Sequence, residues 1–235
     1  MMPAAAEPVR AVFFDVDFTL IYPGPTFQGE GYERFCASHG IAVDRSRFES
    51  AVAAASFILD EVEEPLYDEG LFIKYTASII EQMGGRGPFV VRAAREIYAE
   101  WASNHHFEMY DDVAPALAQL QARGLTVGLI SNSHRSLDAF RDHFDLHGLV
   151  HAGVSSFEHG YMKPHSSIFE AALARAGVPA GASLMVGDSL KADVEGALAA
   201  GLGAILLRRS GEVPAVRPPG VPVIRSLAEL DALIQ

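Results

Sequence analysis

The chain has 235 residues, of which 49% are hydrophobic and 20% charged, and its formal net charge is −12. This length and composition predict one large globular domain, or a domain with an insertion. No apolar stretch reaches the length of a membrane span, and the negative charge disfavours a nucleic-acid backbone as partner. The single cysteine, Cys36, excludes an intramolecular disulfide and a multi-thiolate metal site, so we expect it to be buried in a reducing, cytoplasmic setting.

The first predicted element is a strand over residues 9–14, a run that is apolar apart from one arginine. Directly after it come two carboxylates, Asp15 and Asp17, two positions apart. Side chains two apart on a strand point the same way, so both acids are predicted to serve one site. Open α/β sheets bind ligands at the carboxyl ends of their strands, and we expect the site there.

The stretch between residues 20 and 107 shows no comparable strand pattern. Its apolar residues recur at helical spacing, as in Phe72, Ile79 and Met83, and glycine and proline separate these repeats. We therefore predict a helical insertion over residues 21–105. The remaining residues, 1–20 and 106–235, are predicted to form a sheet domain.

From residue 112 onwards, short apolar runs alternate with longer helical patterns. Strands are predicted over 125–130, 150–154, 184–186, 204–207 and 223–224, and helices over 112–122, 133–143, 165–176, 190–200 and 227–234. This alternation is the βαβ rhythm of a doubly wound parallel sheet, so the predicted fold class is α/β.

Three further polar positions lie close to these predicted strands. Ser131 follows the run 125–130, Lys163 precedes a proline after a glycine-containing turn, and Asp188 follows the run 184–186. Lysine occurs only at positions 74, 163 and 191, which makes the position of Lys163 informative. An aspartate pair alone is equally typical of a turn or a helix cap. The four clusters together predict a functional site.

Four motifs carry this pattern: Asp15-Val16-Asp17-Phe18-Thr19, Ser131-Asn132, Lys163-Pro164, and Gly187-Asp188-Ser189 followed by Asp193. In this order and spacing they resemble the haloacid dehalogenase-like (HAD) hydrolase superfamily, in the subclass whose helical cap is inserted after the first strand. The resemblance implies a Rossmann-like core with an inserted α-helical cap. One departure is Phe18, where the family most often has glycine. We expect this ring to alter the local packing and to narrow the site.

The resemblance implies a phosphatase that uses Mg²⁺ and hydrolyses a small phosphorylated metabolite through an aspartyl-phosphate. Asp15 is then the nucleophile, and Asp17 is the general acid and base. Asp15 and Asp188 ligate the metal with their carboxylates, whereas Asp17 offers its backbone carbonyl and keeps its side chain free. Asp193 is expected behind these ligands or bound to the metal through water, unless it caps a helix or is a surface charge.

Ser131 and Lys163 are predicted to bind the phosphate and to take part in catalysis. The Ser131 hydroxyl and the following backbone N–H groups, including that of Asn132, form a small anion site before a helix. Lys163 adds a positive charge that offsets the charge on Asp15 and on the transferring oxygens.

Four other functions stay open. A haloacid dehalogenase would need neither Asp17 nor Asp188, and a phosphonatase would need a cap amine, for which Lys74 is the candidate. A phosphosugar mutase would pass the phosphoryl group to a second hydroxyl, and a non-catalytic binding protein would keep only the fold. In each case we expect a small-molecule ligand, no nucleic-acid or membrane partner, and a monomer or homodimer.

Overall fold

The computed structural model describes residues 8–60, 65–211 and 213–234. The strands are β1 (Ala11–Phe14), β2 (Ile21–Pro23), β3 (Phe107–Met109), β4 (Thr126–Ser131), β5 (Ala152–Ser155), β6 (Ser183–Gly187), β7 (Gly203–Leu207) and β8 (Val223–Ile224). The α-helices are α1 (Gly29–Ser38), α2 (Phe48–Ala55), α3 (Phe57–Asp60), α4 (Glu69–Gln82), α5 (Val90–Glu100), α6 (Val113–Ala122), α7 (Leu137–His143), α8 (Ser156–His159), α9 (Ser166–Ala176), α10 (Gly196–Ala199) and α11 (Leu230–Leu233). Short 3-10 turns cover Pro25–Phe27, Arg45–Arg47, Asn104–His106, Ala180–Ala182 and Leu227–Glu229, and a π-helical turn covers Leu190–Glu195.

The chain forms two compact units, Met1–Tyr22 with Met109–Gln235, and Pro23–Glu108. The first unit contains a parallel sheet with the strand order β5-β4-β1-β6-β7-β8. Its strands alternate with helices along the chain, which confirms the predicted Rossmann-like α/β fold. Within its core, Phe13, Met185 and Phe169 are completely buried between the sheet and the helices.

Strand β1 lies between β4 and β6, so the carboxyl ends of three strands stand side by side. Phe14 pairs with Leu129 on one side and with Val186 on the other. Asp15 and the last residues of β4 and β6 therefore lie at one level along the edge of the sheet. This central position is where doubly wound folds bind their ligands.

The second unit is helical, and α4 packs against both α2 and α5. Buried residues recur along one face of each helix, including Ile73, Ile80 and Ile97. Cys36 is buried in α1, as predicted, whereas Lys74 is exposed on α4. Within the described part of the chain, no helix has both the length and the apolar character that crossing a bilayer requires.

Three details differ from the sequence predictions. Strands β2 and β3 form a separate two-stranded sheet that is too short to show an alternating pattern. The helix predicted from residue 133 begins only at Leu137, because the Ser136 hydroxyl accepts a hydrogen bond from the Ala139 N–H and caps the helix there. Residues 132–135 consequently form a loop. The helix predicted over residues 190–200 starts as the π-helical turn before α10.

Arg209 connects two distant parts of the sheet unit. Its Nε and Nη2 donate to the Thr19 carbonyl at 3.0 and 2.8 Å, and its Nη1 and Nη2 donate to the Asp112 carboxylate at 3.0 and 2.9 Å. Asp112 also accepts from the Ser226 hydroxyl at 2.6 Å and from the Leu227 N–H at 2.9 Å. The chain just beyond β1 is thereby tied to the start of α6 and to the C-terminal region.

Asp112→Asn is expected to lower the free energy of unfolding by about 2 kcal/mol at about pH 7, because charge-assisted hydrogen bonds are lost. Burial raises the pKa of Asp112, but hydrogen bonds from Arg209, Ser226 and Leu227 outweigh it and bring this pKa below its ordinary value. Such a carboxylate stabilises the fold above its unfolded pKa of about 3.9, and this contribution is lost as the pH falls through the folded pKa.

The stability difference between wild type and Asp112→Asn should therefore be complete at about pH 6 and shrink below about pH 4. Urea unfolding at a series of pH values measures it. Asp111→Asn is the matched control, because Asp111 is the exposed neighbour on the same turn. A difference that stayed constant down to about pH 3 would contradict the assignment.

Candidate active site

Three aspartates meet at the carboxyl edge of the sheet. Each of Asp15, Asp188 and Asp193 offers one carboxylate oxygen, and these oxygens all lie within 4.8 Å of one another. Asp15 follows β1, and its N–H donates to the Val186 carbonyl at 3.0 Å, which fixes it beside β6. Asp188 follows β6 directly, and Asp193 comes from the π-helical turn. A hard divalent cation such as Mg²⁺ prefers a set of oxygen donors of this kind.

The electrostatics of these three aspartates also fit a cation. Burial, together with the charges of Asp15 and Asp193, raises the pKa of Asp188 well above its ordinary value. Burial also raises the pKa of Asp193 to about 6, although Lys163 opposes the shift. Like charges crowded in a buried place repel one another, and a divalent cation between them would relieve that repulsion.

Gly187 makes room for Asp193. A Cβ atom at position 187 would collide with the Asp193 carboxylate. The Ser189 N–H donates to Asp193 Oδ2 at 2.9 Å and holds the carboxylate in this place. Asp193 is only 1% exposed, so its interpretation as a surface charge is wrong. The glycine of the Gly187-Asp188-Ser189 motif is thus required by close approach of a neighbouring side chain.

Lys163 places a cation against this cluster. Its side chain is buried, and Nζ donates to Asp15 Oδ1 at 2.7 Å, to Asp193 Oδ1 at 2.6 Å and to the Ile130 carbonyl at 2.7 Å. These three hydrogen bonds use all the donors of an ammonium group. Burial lowers the pKa of Lys163, but the charges of Asp15 and Asp193 outweigh it and raise this pKa above its ordinary value. The lysine is therefore fully charged.

Asn132 holds the backbone of Lys163 in place. Its Nδ2 donates to the Lys163 carbonyl at 2.9 Å, and its Oδ1 accepts from the Lys163 N–H at 2.7 Å. The sequence predicted a contribution from the backbone N–H of Asn132, and this side-chain role was missed. Ser131 is buried at the end of β4, with its hydroxyl 2.9 Å from the hydroxyl of Ser133.

Asp17 has a different partner. Among the described residues, the three-aspartate cluster does not include it. Both of its carboxylate oxygens instead accept from Arg135 Nη1, at 2.9 and 3.1 Å. Burial raises the pKa of Asp17 above its ordinary value. The positive charge of Arg135 lowers this pKa, whereas the negative charge of Asp15 raises it further. Sequence reasoning missed Arg135, because a single arginine inside a predicted helix carries no pattern that separates it from a surface residue.

Phe18 adopts a left-handed backbone conformation, with φ of 63°, and the residue is 47% exposed. For residues other than glycine this conformation costs about 1–2 kcal/mol. A glycine would meet no such penalty, which gives a physical reason for the residue that the family most often has here. The backbone at Phe18, next to Asp17, is therefore strained.

A sequence model of haloacid dehalogenase-like hydrolases matches residues 9–201, and the chain belongs to this family. The protein is therefore a hydrolase. It is 32% identical over 250 aligned residues to the N-acylneuraminate-9-phosphatase of Mus musculus, an alignment that covers 97% of this chain and 94% of the relative.

Two further relatives extend the comparison. The glyceraldehyde 3-phosphate phosphatase of Methanopyrus kandleri is 29% identical over 208 residues, covering 86% of this chain and 84% of the relative. A crystal structure of a HAD-hydrolase from Bacillus subtilis, bound to magnesium, is similar with a TM-score of 0.75 at 18% identity, covering 97% of this chain and 100% of the other. At that identity the structural likeness concerns the fold alone.

Proposed function

We propose that the protein is a Mg²⁺-dependent phosphatase that hydrolyses a phosphoric monoester of a small metabolite through an aspartyl-phosphate on Asp15. The observation that carries this proposal is the separation of four aspartates into two sets. Three of them share a cation-sized cluster with Lys163, whereas Asp17 pairs with Arg135. Relatives named as phosphatases support the same class of reaction.

The proposed reaction has two steps. First, the Asp15 carboxylate attacks phosphorus, and the bond to the leaving oxygen breaks while Asp17 gives that oxygen a proton. Asp17 then accepts a proton from the water that attacks the aspartyl-phosphate, which releases phosphate and restores Asp15. Lys163 orients Asp15 throughout, since its Nζ donates to the same carboxylate. Ser131 and the backbone N–H of Asn132 are assigned to the phosphate oxygens.

The side chains of Asp15, Asp188 and Asp193 are those that would hold the metal, together with the backbone carbonyl of Asp17. When bound, the ion supplies positive charge that offsets the repulsion between a carboxylate nucleophile and a phosphate dianion.

The proposal also includes a cytoplasmic location, which is supported by the single, buried Cys36.

Metal removal tests this proposal. The protein is expected to hydrolyse p-nitrophenyl phosphate with Mg²⁺, to lose about 10²-fold or more of that activity in EDTA, and to regain it with excess Mg²⁺. Halide release from a 2-haloacid in EDTA would instead support a dehalogenase, which needs neither a metal nor the proton donor Asp17. A panel of sugar phosphates, nucleotides and glycolytic acids then narrows the substrate, starting with the two phosphoesters named for the relatives.

A phosphonatase, a phosphosugar mutase and a non-catalytic protein are the remaining alternatives. A phosphonatase needs an amine activated by its surroundings, and Lys74 is exposed on α4. A phosphosugar mutase would differ only in passing the phosphoryl group to a second substrate hydroxyl, which product analysis detects. A non-catalytic binding protein would have no need to keep Asp17 and Asp188 together with Lys163.

A further inference from the structure

Arg135 is an unusual residue to find in the interior. It is 1% exposed and is the largest by volume of the fully buried side chains among the described residues. It belongs to the loop between β4 and α7, and its ion pair with Asp17 joins residues 118 positions apart in the sequence. Breaking a buried ion pair on one side costs several kcal/mol, roughly 3–5. The Asp17 carboxylate is therefore an important part of the surroundings of Arg135.

The position of this pair limits what Asp17 can do. Two residues before it, Asp15 points its carboxylate at Lys163 and at the cluster that also contains Asp188 and Asp193. The cation beside that cluster, Lys163, already uses its three donors and has none left for a carboxylate at position 17. Arg135 offers Asp17 a separate cation and binds both of its oxygens.

We propose that Arg135 is a positioning residue for proton transfer by Asp17. It keeps the Asp17 carboxylate apart from the three-aspartate cluster and in one orientation. As the proton leaves Asp17 for the departing alkoxide oxygen and the P–O bond breaks, negative charge develops on Asp17. Arg135 already lies beside that charge and stabilises it, while remaining a cation and giving up no proton. The inference rests on the proposed phosphatase function.

The dependence of the rate on the leaving group tests this inference. An alkoxide needs a proton in order to leave, whereas 2,4-dinitrophenolate does not. Arg135→Gln is expected to lower kcat/KM about 10²-fold or more for an alkyl phosphate such as glycerol 1-phosphate, but less than about 5-fold for 2,4-dinitrophenyl phosphate. The ratio kcat/KM is used because it reports steps only up to formation of the aspartyl-phosphate.

Three variants serve as controls. Asp17→Asn should show the same selective loss, and Arg135→Gln added to it should cost little more, since both act through one carboxylate. Arg135→Lys keeps the charge and should restore part of the activity towards the alkyl phosphate. Arg141→Gln, in the following helix α7, should leave the ratio between the two esters unchanged.

Equal losses on both esters for Arg135→Gln, in protein that is folded at the assay temperature, would overturn the inference. If Arg135→Gln does not fold, the same comparison in Arg135→Lys decides: a selective loss supports the inference and an equal loss overturns it. Wild-type protein that hydrolyses no phosphoester with Mg²⁺ would remove the proposed function and this inference together. An active wild type with equal losses removes the inference alone.

Discussion

Replacing Asp15 by asparagine is expected to lower kcat about 10⁴-fold or more, with a much smaller change in KM. The amide has the shape of the carboxylate but is far too weak a nucleophile to attack phosphorus. It can still accept the hydrogen bond from Lys163, so the site should keep its geometry. The fold should tolerate the change, because one of three crowded negative charges is removed while Lys163 keeps Asp193 as its partner.

The measurement combines steady-state rates on p-nitrophenyl phosphate with acid quenching of a reaction on ³²P-labelled substrate. Wild type should carry acid-stable label on the protein, and Asp15→Asn should carry none. Asp111→Asn, an exposed aspartate of the same unit, should retain both label and rate. Asp15→Ala excludes deamidation as a source of residual activity. If that variant kept a tenth of the wild-type kcat, another residue would have to be the nucleophile.

Lys163→Met should have the second largest effect, on activity and on stability together. The substitution removes the cation from two buried carboxylates, those of Asp15 and Asp193, and leaves the Ile130 carbonyl without its donor. All three charged side chains are almost inaccessible to water, so screening is weak. Breaking a buried ion pair on one side costs about 3–5 kcal/mol, and we expect a loss in this range in EDTA.

Mg²⁺ should affect the stability of Lys163→Met and its activity differently. A divalent cation held by the three aspartates should offset part of the missing charge, so the loss of stability should be smaller with Mg²⁺ than in EDTA. Activity should stay about 10³-fold below wild type even with Mg²⁺, since the charge on the transferring oxygens is no longer offset by the lysine. Urea unfolding with and without Mg²⁺ and kcat/KM measure the two effects.

Lys74→Met is the matched control, because Lys74 is a lysine exposed on α4. Its unfolding free energy should change by less than about 0.5 kcal/mol. If Lys163→Met were as stable as wild type in EDTA, the ion pairs of Lys163 would not hold the site together. The charge-balancing role assigned to this lysine would then be wrong.

The sheet unit was largely predictable because parallel strands are buried on both faces and appear as continuous apolar runs. The runs that became β1, β4, β6 and β7 are of this kind, and each ends close to where its apolar run ends. Elements whose position depends on non-local contacts or on single capping residues were predicted less accurately. The start of α7 was set by the Ser136 cap, and β2 and β3 consist of three residues each.

The sequence by itself determined which functional groups stand at strand ends, since Asp15, Ser131 and Asp188 follow apolar runs directly. Parallel strands bring such ends to one edge whatever the details of packing. The partners of these groups were decided only by the tertiary structure. Arg135 pairs with Asp17 across 118 residues, and Asn132 holds the backbone of Lys163 across 31. No periodic sequence pattern predicts such pairs. They form where loops that follow different strands converge, because a buried charge or amide needs a hydrogen-bonding partner there.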